Sequence, residues 1–166
     1  MPAAHVLVTG FEPNDDGLNA SQAVVESLIG DVPVALKPLG DHLHFAILPG
    51  NTHTVSVSLI ALIEEHQPNF CVLVGQAPGR SKVTFERVAT NLRDFMVADR
   101  AGNVETGSHI FAEAPAAYFS TLDALELANS WRAPASQQPP PITPGIIFAI
   151  KRCSSHFTMR QHVTSL

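Results

Sequence analysis

The sequence predicts an α/β fold of three layers (α/β/α), in which helices cover both faces of a mostly parallel, twisted sheet. Two apolar runs, residues 5–9 and 70–74, show no alternation of polar and apolar side chains, and a glycine follows each at once, Gly10 and Gly75. Such runs are typical of parallel strands that are buried on both faces. Segments with helical spacing separate the two runs, and this alternation of strands and helices favours the α/β class.

The individual elements follow from apolar spacing and from the residues that begin or end helices. In chain order we predict a strand over residues 5–9, a helix over about 22–29, a strand over 32–36, a helix over 54–66, a strand over 70–74 and a helix from 114 to about 131. Ser21 is the predicted cap of the first helix, which stops at Gly30. Pro68 follows the second helix, and Pro115 lies early in the third, where its missing N–H costs nothing. Residues 85–97 mix polar and β-branched side chains and are ambiguous.

The composition divides the chain into a domain and a tail. The 166 residues are 45% hydrophobic, which suffices for one core, and we predict a single α/β domain over residues 1–136. From Gln137 a Gln-Gln-Pro-Pro-Pro run begins, and residues 137–166 contain basic residues but no acid. We expect this tail to be disordered or translated out of frame, so that the sheet is incomplete at the C-terminus.

Charge and hydropathy exclude several classes of partner. The net charge is -5, and the 10 Lys and Arg residues form no basic run, so we expect no binding to nucleic acid or to an anionic membrane. No stretch reaches the roughly 20 apolar residues of a membrane helix and no signal peptide is recognised, so we expect a cytoplasmic protein. His42, His44 and His53 lack the further ligands of a zinc site, and we expect neither a metal nor a cofactor.

A glycine-rich segment, Gly75-Gln-Ala-Pro-Gly79-Arg80, follows a predicted strand at its carboxyl end, where open α/β sheets carry ligand sites. Such a turn alone serves equally well to let a strand change direction. Further motifs accompany it: Val8-Thr-Gly-Phe-Glu-Pro13, Asn19-Ala-Ser21, Glu86-Arg-Val-Ala with Asn91, and Pro115-Ala-Ala-Tyr-Phe119. In order and spacing, from Val6 to about Ser136, these motifs resemble the pyroglutamyl peptidase I (pyrrolidone-carboxylate peptidase) family.

The resemblance implies a cysteine peptidase that removes an amino-terminal pyroglutamyl residue from peptides. In that reaction a thiolate attacks the carbonyl, a histidine transfers the proton and a glutamate orients the imidazole. Glu86 matches this glutamate, whereas outside the motif it would be interpreted as a solvated loop carboxylate. For the pyroglutamyl ring, the resemblance assigns Phe11 and Val97 to apolar walls and Asn19 and Gln76 to polar contacts. Without it, Phe11 and Val97 would be interpreted as core residues.

The chain departs from the family at two places. Asn14, Asp15 and Asp16 stand where the family has a second aromatic residue and a glycine turn, which removes roughly 1–3 kcal/mol of burial from ring binding. Residues 142–150 contain no cysteine, although the family carries its nucleophile in a segment at this place. The family's catalytic histidine lies further along than this sequence extends.

A frameshift between about Gln137 and Pro141 would explain the second departure. Read one base out of register, residues 143–151 permit the string Ala-Gly-Asn-Tyr-Leu-Cys-Asn-Gln, which is a nucleophile segment of the family type. As written, we expect the chain to be inactive, and we do not expect Cys153 with His156 or His162 to reach Glu86. The alternative is a noncatalytic remnant or an interaction protein of the same fold, and assembly into homo-oligomers, as in the family, is left open.

Overall fold

The computed structural model describes residues 4–13, 17, 19–77, 80, 82–121, 123–130 and 145–152, the last as backbone alone. Its main sheet has five strands: β1 (Val6–Phe11), β2 (Leu43–Leu48), β3 (Phe70–Ala77), β4 (Thr84–Phe85) and β9 (Gly145–Arg152). Their order across the sheet is β2-β1-β3-β9-β4. The first three are mutually parallel, β9 runs antiparallel to β3, and β4 runs parallel to β9.

Two helices cover opposite faces of this sheet. Helix α1 (Ala20–Gly30) places Val25 against Val8 and Val74. Helix α2 (Val55–His66) packs against Leu7 on the other face, in a cluster that also contains Leu48, Leu59, Ile63, Cys71 and Leu73. Because Leu7 and Val8 are neighbours in one strand, their side chains point to opposite faces. The predicted three-layer α/β/α fold is therefore confirmed, and Cys71 is a buried core residue.

Small elements follow the main sheet. Strand β5 (Val88–Thr90) pairs with β8 (Ala117–Phe119), and β6 (Arg93–Phe95) pairs with β7 (Glu105–Ser108), both antiparallel. Helix α3 spans Ala124–Ser130. Among the described residues, none of the helices has the length and apolar character needed to cross a bilayer.

The predicted strand over residues 32–36 is wrong. Pro33 has no N–H for a ladder, and its carbonyl accepts hydrogen bonds from the N–H groups of Leu36 and Lys37 in a turn. A 3-10 segment, Lys37–His42, follows, and the strand comes only at Leu43–Leu48, which pairs with β1 residue by residue.

The predicted helix over residues 114–131 is also wrong in its first half. Residues Ala117–Phe119 pair with β5 as a strand, where two aromatic side chains fit a pleated surface. The helix begins only at Ala124, after Asp123, whose Oδ1 accepts hydrogen bonds from the N–H groups of Leu125 and Glu126. Trp131 lies outside the described residues.

The division at residue 136 stays a prediction. Within the tail, residues 145–152 form β9, in which Gly145 pairs with Ala77 at the carboxyl end of β3. Residues 137–144 and 153–166 lie outside the described residues, and with them Cys153, His156 and His162. The same holds for residues 14–16 and for Gly79.

Candidate functional site

The order of the strands places a point of divergence at the carboxyl ends of the adjacent strands β1 and β2. The chain leaves β1 for α1 on one face and leaves β2 for α2 on the other, with β1 between β2 and β3. Ligands of doubly wound sheets bind where the connections diverge in this way. Phe11 ends β1 at this point, and Gln76 lies near the end of β3, on the other side of β1.

Asn19 is held in a buried network at the start of α1. Its Oδ1 accepts hydrogen bonds from Ser21 N at 2.9 Å and from Ser21 Oγ at 2.7 Å, while its Nδ2 donates to the Glu12 carbonyl at 3.0 Å. Ser21 Oγ in turn accepts a hydrogen bond from Phe11 N at 2.9 Å. The predicted cap of α1, Ser21, is therefore wrong, and the cap is Asn19. The amide oxygen of Asn19 reaches the helix N–H, while Ser21 braces the end of β1.

The close approach of α1 to β1 depends on Gly10. A Cβ atom at this position would lie 2.6 Å from the Ser21 carbonyl oxygen and 2.8 Å from its carbon. The first turn of the helix therefore packs directly on the strand backbone. This contact fixes the position of the neighbouring residue, Phe11, at the end of β1.

Gln76 joins the end of β3 to α1. Its Oε1 accepts a hydrogen bond from Ala20 N at 2.7 Å, which satisfies one of the N–H groups that a helix start leaves unpaired. Asn19 and Gln76 thus meet at the same helix terminus, and both brace the start of α1 by contacts within the protein. Their predicted contacts with a ligand stay predictions.

Phe11 and Val97 line one cavity of about 470 Å³. Its walls come from three places: the end of β1, the loop between β2 and α2, and the segment from β5 to Asp99. The lining residues are Phe11, Pro49, Gly50, Asn51, Thr52, Val55, Thr90, Leu92, Arg93, Asp94, Phe95, Val97 and Asp99. This volume suits a small ligand, and the mixture of apolar and polar walls is usual for such sites.

The segment from Met96 to Asn103, here called the strap, closes one side of the cavity. Its first two side chains are largely exposed, Met96 at 86% and Val97 at 84%. Behind them, Asp99 Oδ2 accepts a hydrogen bond from Thr52 N at 2.7 Å. Arg100 N donates to the Gly50 carbonyl at 3.2 Å, and its guanidinium lies 3.5 Å from Glu12 Oε2.

Asp99 is ionised in this setting. Desolvation raises the pKa of its carboxyl group, but hydrogen bonds from Asn103 and Thr52 outweigh it and hold the pKa well below its usual range. The ionised carboxylate is therefore the favoured form near neutral pH.

Glu86 lies apart from this cavity. Strand β4 runs antiparallel to β3, and Phe85 is level with Val74 across β9, so Glu86 follows below the carboxyl end of β3 on the outer edge of the sheet. Its Oε1 accepts a hydrogen bond from Arg80 Nη1 at 2.9 Å, and the same nitrogen lies 3.0 Å from Thr84 Oγ1. The carboxylate is thus paired with a cation, and its predicted catalytic role stays a prediction.

Sequence reasoning missed Asp99 and Thr52, which hold the strap in place. A signal was present, since Asp99-Arg-Ala-Gly102 has the acid and the glycine of a tight turn. Gly102 adopts φ +81°, which suits glycine, and its N–H donates to the Asp99 carbonyl. In the part of the chain that the structure describes, no three metal-binding side chains converge on a common point.

Comparison with known proteins gives a consistent result. The family model Peptidase_C15, described as pyroglutamyl peptidase, matches residues 4–134. A pyrrolidone-carboxylate peptidase of Deinococcus radiodurans is 36% identical over 128 residues, which cover 76% of this chain and 57% of the relative. Pyrrolidone-carboxylate peptidase 1 of Photorhabdus laumondii is 40% identical over 118 residues, which cover 70% and 51%. The chain thus spans little more than half the length of these curated relatives.

Solved structures of pyroglutamyl peptidases resemble this chain in fold. A mutant pyrrolidone carboxyl peptidase from the hyperthermophile Pyrococcus furiosus superposes with a TM-score of 0.67 at 27% identity, covering 95% of this chain and 69% of that one. Pyroglutamyl peptidase I from Bacillus amyloliquefaciens superposes with a TM-score of 0.70 at 24% identity, covering 98% and 87%, which shows the shared fold. By its sequence match and its fold, the chain belongs to the pyroglutamyl peptidase family.

Proposed function

We propose that this domain recognises the amino-terminal pyroglutamyl residue of peptides in the cavity lined by Phe11 and Val97, as the recognition part of a cysteine peptidase. The observation that carries the proposal is that these two side chains line one cavity at the carboxyl end of β1, in a chain of this family. Family membership supplies the substrate class, and the cavity supplies a place of suitable size.

The chemistry of the cavity suits the ligand. A pyroglutamyl ring is small and uncharged, with apolar methylene groups and one lactam N–H and one C=O. Phe11, Leu92, Phe95 and Val97 provide apolar contact for the methylenes. Polar side chains in the same wall, among them Asn51, provide partners for the lactam group.

Hydrolysis would follow the cysteine peptidase scheme. A thiolate attacks the carbonyl carbon that joins the ring to the next residue, the amine leaves with a proton from a histidine, and water then cleaves the thioester. In this proposal Glu86 orients the histidine. To do so, the Glu86 carboxylate must give up its hydrogen bond from Arg80 and accept one from the imidazole. Residues 142–150, which match the place of the nucleophile, supply no cysteine for the attack.

A second candidate function is binding of pyroglutamyl peptides without cleavage. It is favoured by the same cysteine-free segment, most of which forms β9 beside β3 at the centre of the sheet. Under this proposal the cavity persists and the reaction does not. Homo-oligomeric assembly and a cytoplasmic location stay predictions under both.

The test that separates the two is release of a fluorophore from a pyroglutamyl amide by the purified chain. Activity that is lost both in Glu86→Gln and after iodoacetamide treatment supports a cysteine peptidase. A folded sample that binds the pyroglutamyl ring without releasing the fluorophore supports the binding function. A folded sample that neither binds nor cleaves contradicts both.

A further inference from the structure

The Asp99 carboxylate is engaged on both of its oxygens. Oδ1 accepts hydrogen bonds from Ala101 N at 2.9 Å, Asn103 N at 2.9 Å and Asn103 Nδ2 at 3.1 Å. Oδ2 accepts from Thr52 N at 2.7 Å and lies 3.0 Å from Asn103 Nδ2. Two carboxylate oxygens offer about four acceptor positions, so these contacts leave little capacity for a ligand. Asp99 lines the cavity, but its carboxylate is bonded to neighbouring protein groups and not directed at a ligand.

These contacts fall into two groups with different consequences. The bonds from Ala101 and Asn103 fold the strap upon itself, together with the N–H of Asp99 that donates to the Asn103 carbonyl at 3.0 Å. The bond from Thr52 reaches across a sequence separation of 47 residues to the loop between β2 and α2. Asp99 is thus the point at which a self-contained turn is fastened to the other wall of the cavity.

Arg100 makes the same connection beside it. Its N–H donates to the Gly50 carbonyl, and its guanidinium faces the carboxylate of Glu12, which follows β1. The Arg100 side chain also packs on Gly50, where an added Cβ would lie 2.8 Å from Arg100 Cδ. The Arg100–Glu12 pair is largely exposed and contributes little by itself. The Asp99–Thr52 hydrogen bond, made by an ionised acceptor, is the stronger fastening.

Val97 depends on this fastening for its position. It lies two residues before Asp99, it is 84% exposed, and it belongs to neither β6 nor β7. With so little packing of its own, the side chain is held in the cavity wall by the backbone on either side. A loop wall of this kind contributes to binding only if it is fixed before the ligand arrives.

We propose that Asp99 is a positioning residue for pyroglutamyl recognition, which fastens the strap to Thr52 and thereby holds Val97 in the wall of the cavity that Phe11 also lines. This inference rests on the proposed function, because it concerns recognition at that same cavity. Asp99 acts through Val97 and does not touch the ligand.

The test is a double-mutant cycle on binding of L-pyroglutaminol, which carries the lactam ring but no scissile carbonyl. Dissociation constants are measured by titration calorimetry for the wild type, Asp99→Asn, Val97→Ala and the double variant. The Asn side chain has nearly the same shape but only one oxygen acceptor and no charge. We expect Asp99→Asn to weaken binding roughly tenfold, as for loss of a hydrogen bond to a charged group.

The coupling distinguishes positioning from general stabilisation. If Asp99 acts through Val97, Asp99→Asn costs less than about twofold once Val97 is already Ala, since coupled positions are not additive. Asp123→Asn is the matched control, because Asp123 also accepts backbone N–H groups but lies at the start of α3, outside the cavity lining. We expect it to bind as the wild type does.

Several outcomes overturn the inference. An unchanged affinity in Asp99→Asn, or an undiminished tenfold loss in the Val97→Ala background, contradicts positioning through Val97. If Asp99→Asn does not fold, Asn103→Ala replaces it in the cycle; it removes only the side-chain contacts to Asp99, and we expect a loss of about threefold that disappears in the Val97→Ala background. Failure of the wild type to bind contradicts the proposed function itself, whereas wild-type binding with no effect of Asp99 contradicts only the inference.

Discussion

At the scale of single residues, the junction of β1 and α1 depends on a few small or polar side chains. Gly10 lets the first turn of the helix lie on the strand, Ser21 accepts the N–H of Phe11, and Asn19 accepts from Ser21. Ser21 is completely buried and Asn19 nearly so, which makes their hydrogen bonds costly to lose. This junction sets the position of Phe11 in the cavity.

Replacing Gly10 by alanine should destabilise the domain. The new methyl group would lie within 3 Å of backbone atoms of Ser21, which can give way only if the helix moves. We expect a loss of about 1–3 kcal/mol in the free energy of unfolding, as is usual for overpacking, measured by urea denaturation. Gly30→Ala is the control, since nothing lies within 4 Å of an added Cβ there. Equal stability of the two variants would contradict the close packing of α1 on β1.

Asn19→Ala should reduce stability by the loss of a helix cap. The substitution removes the acceptor of Ser21 N and the donor to the Glu12 carbonyl, and we expect a cost of about 1–2 kcal/mol in the free energy of unfolding. Asn69→Ala, which removes an exposed hydrogen bond to His5 N, should cost less. If Asn19→Ala unfolds at the same urea concentration as the wild type, the network around it is not structural.

At the scale of elements, a cluster of four histidines lies at the amino ends of the strands. His5 directly precedes β1, His42 ends the 3-10 segment, His44 belongs to β2 and His66 ends α2. His5 Nε2 lies 2.8 Å from His42 Nδ1, and His5 Nδ1 lies 3.4 Å from His44 Nε2. His44 stacks on His66 with ring centroids 4.0 Å apart. Desolvation lowers the pKa of His44, and the neighbouring His66, His5 and His42 lower it further, against an opposing effect of Glu65.

This cluster should make the fold sensitive to acid. Because the pKa of His44 is lower in the folded protein than the ordinary value of 6.5, the unfolded chain takes up the proton first. The stabilising contribution of neutral His44 is complete above that ordinary value and falls as the pH drops through 6.5 towards the folded pKa. We expect His44→Gln to flatten the decline in the urea midpoint between pH 7.5 and 5.

The control for this experiment is His109→Gln, which replaces an exposed histidine outside the cluster. It should leave the slope of stability against pH as in the wild type. A slope that is the same in His44→Gln and in the wild type would show that the cluster is not the source of acid sensitivity.

The elements that the sequence predicted correctly are those with strong apolar spacing. Strands β1 and β3 and helices α1 and α2 build the core, so the core pattern suffices to find them. The missed strand, β2, has one histidine among apolar residues and follows Pro33 and Pro38, and its pairing with β1 decides its conformation. Residues 117–119 form a strand for the same reason, because they pair with β5, which lies far away in sequence.

The site was less predictable than the fold. From the sequence, Phe11 could be placed just after a strand. Val97 lies in a strap without regular structure, and only the family resemblance assigned it to the same cavity. The Asp99–Thr52 hydrogen bond joins two loops 47 residues apart, and no local pattern encodes such a contact.

At the scale of the whole molecule, the two ends of the sheet carry different chemistry. The amino ends of the strands carry the histidine cluster, and the cavity lies at the carboxyl end of β1. The parallel strands β1, β2 and β3 separate the two, so a change of pH that acts on the histidines should reach the cavity only through loss of the fold. Recognition of the pyroglutamyl ring should therefore be tested at a pH at which the chain is fully folded.

The most direct test is a titration of the isotope-labelled chain with L-pyroglutaminol, followed by amide chemical shifts, with L-prolinol as a control that lacks the lactam oxygen. We expect the amides of Phe11, Thr52 and Val97 to shift on addition of L-pyroglutaminol and much less with L-prolinol, since they border one cavity. No shift in a folded sample would contradict recognition of the ring. Shifts confined to the separate pocket beside Phe119 and Asp123 would contradict its placement.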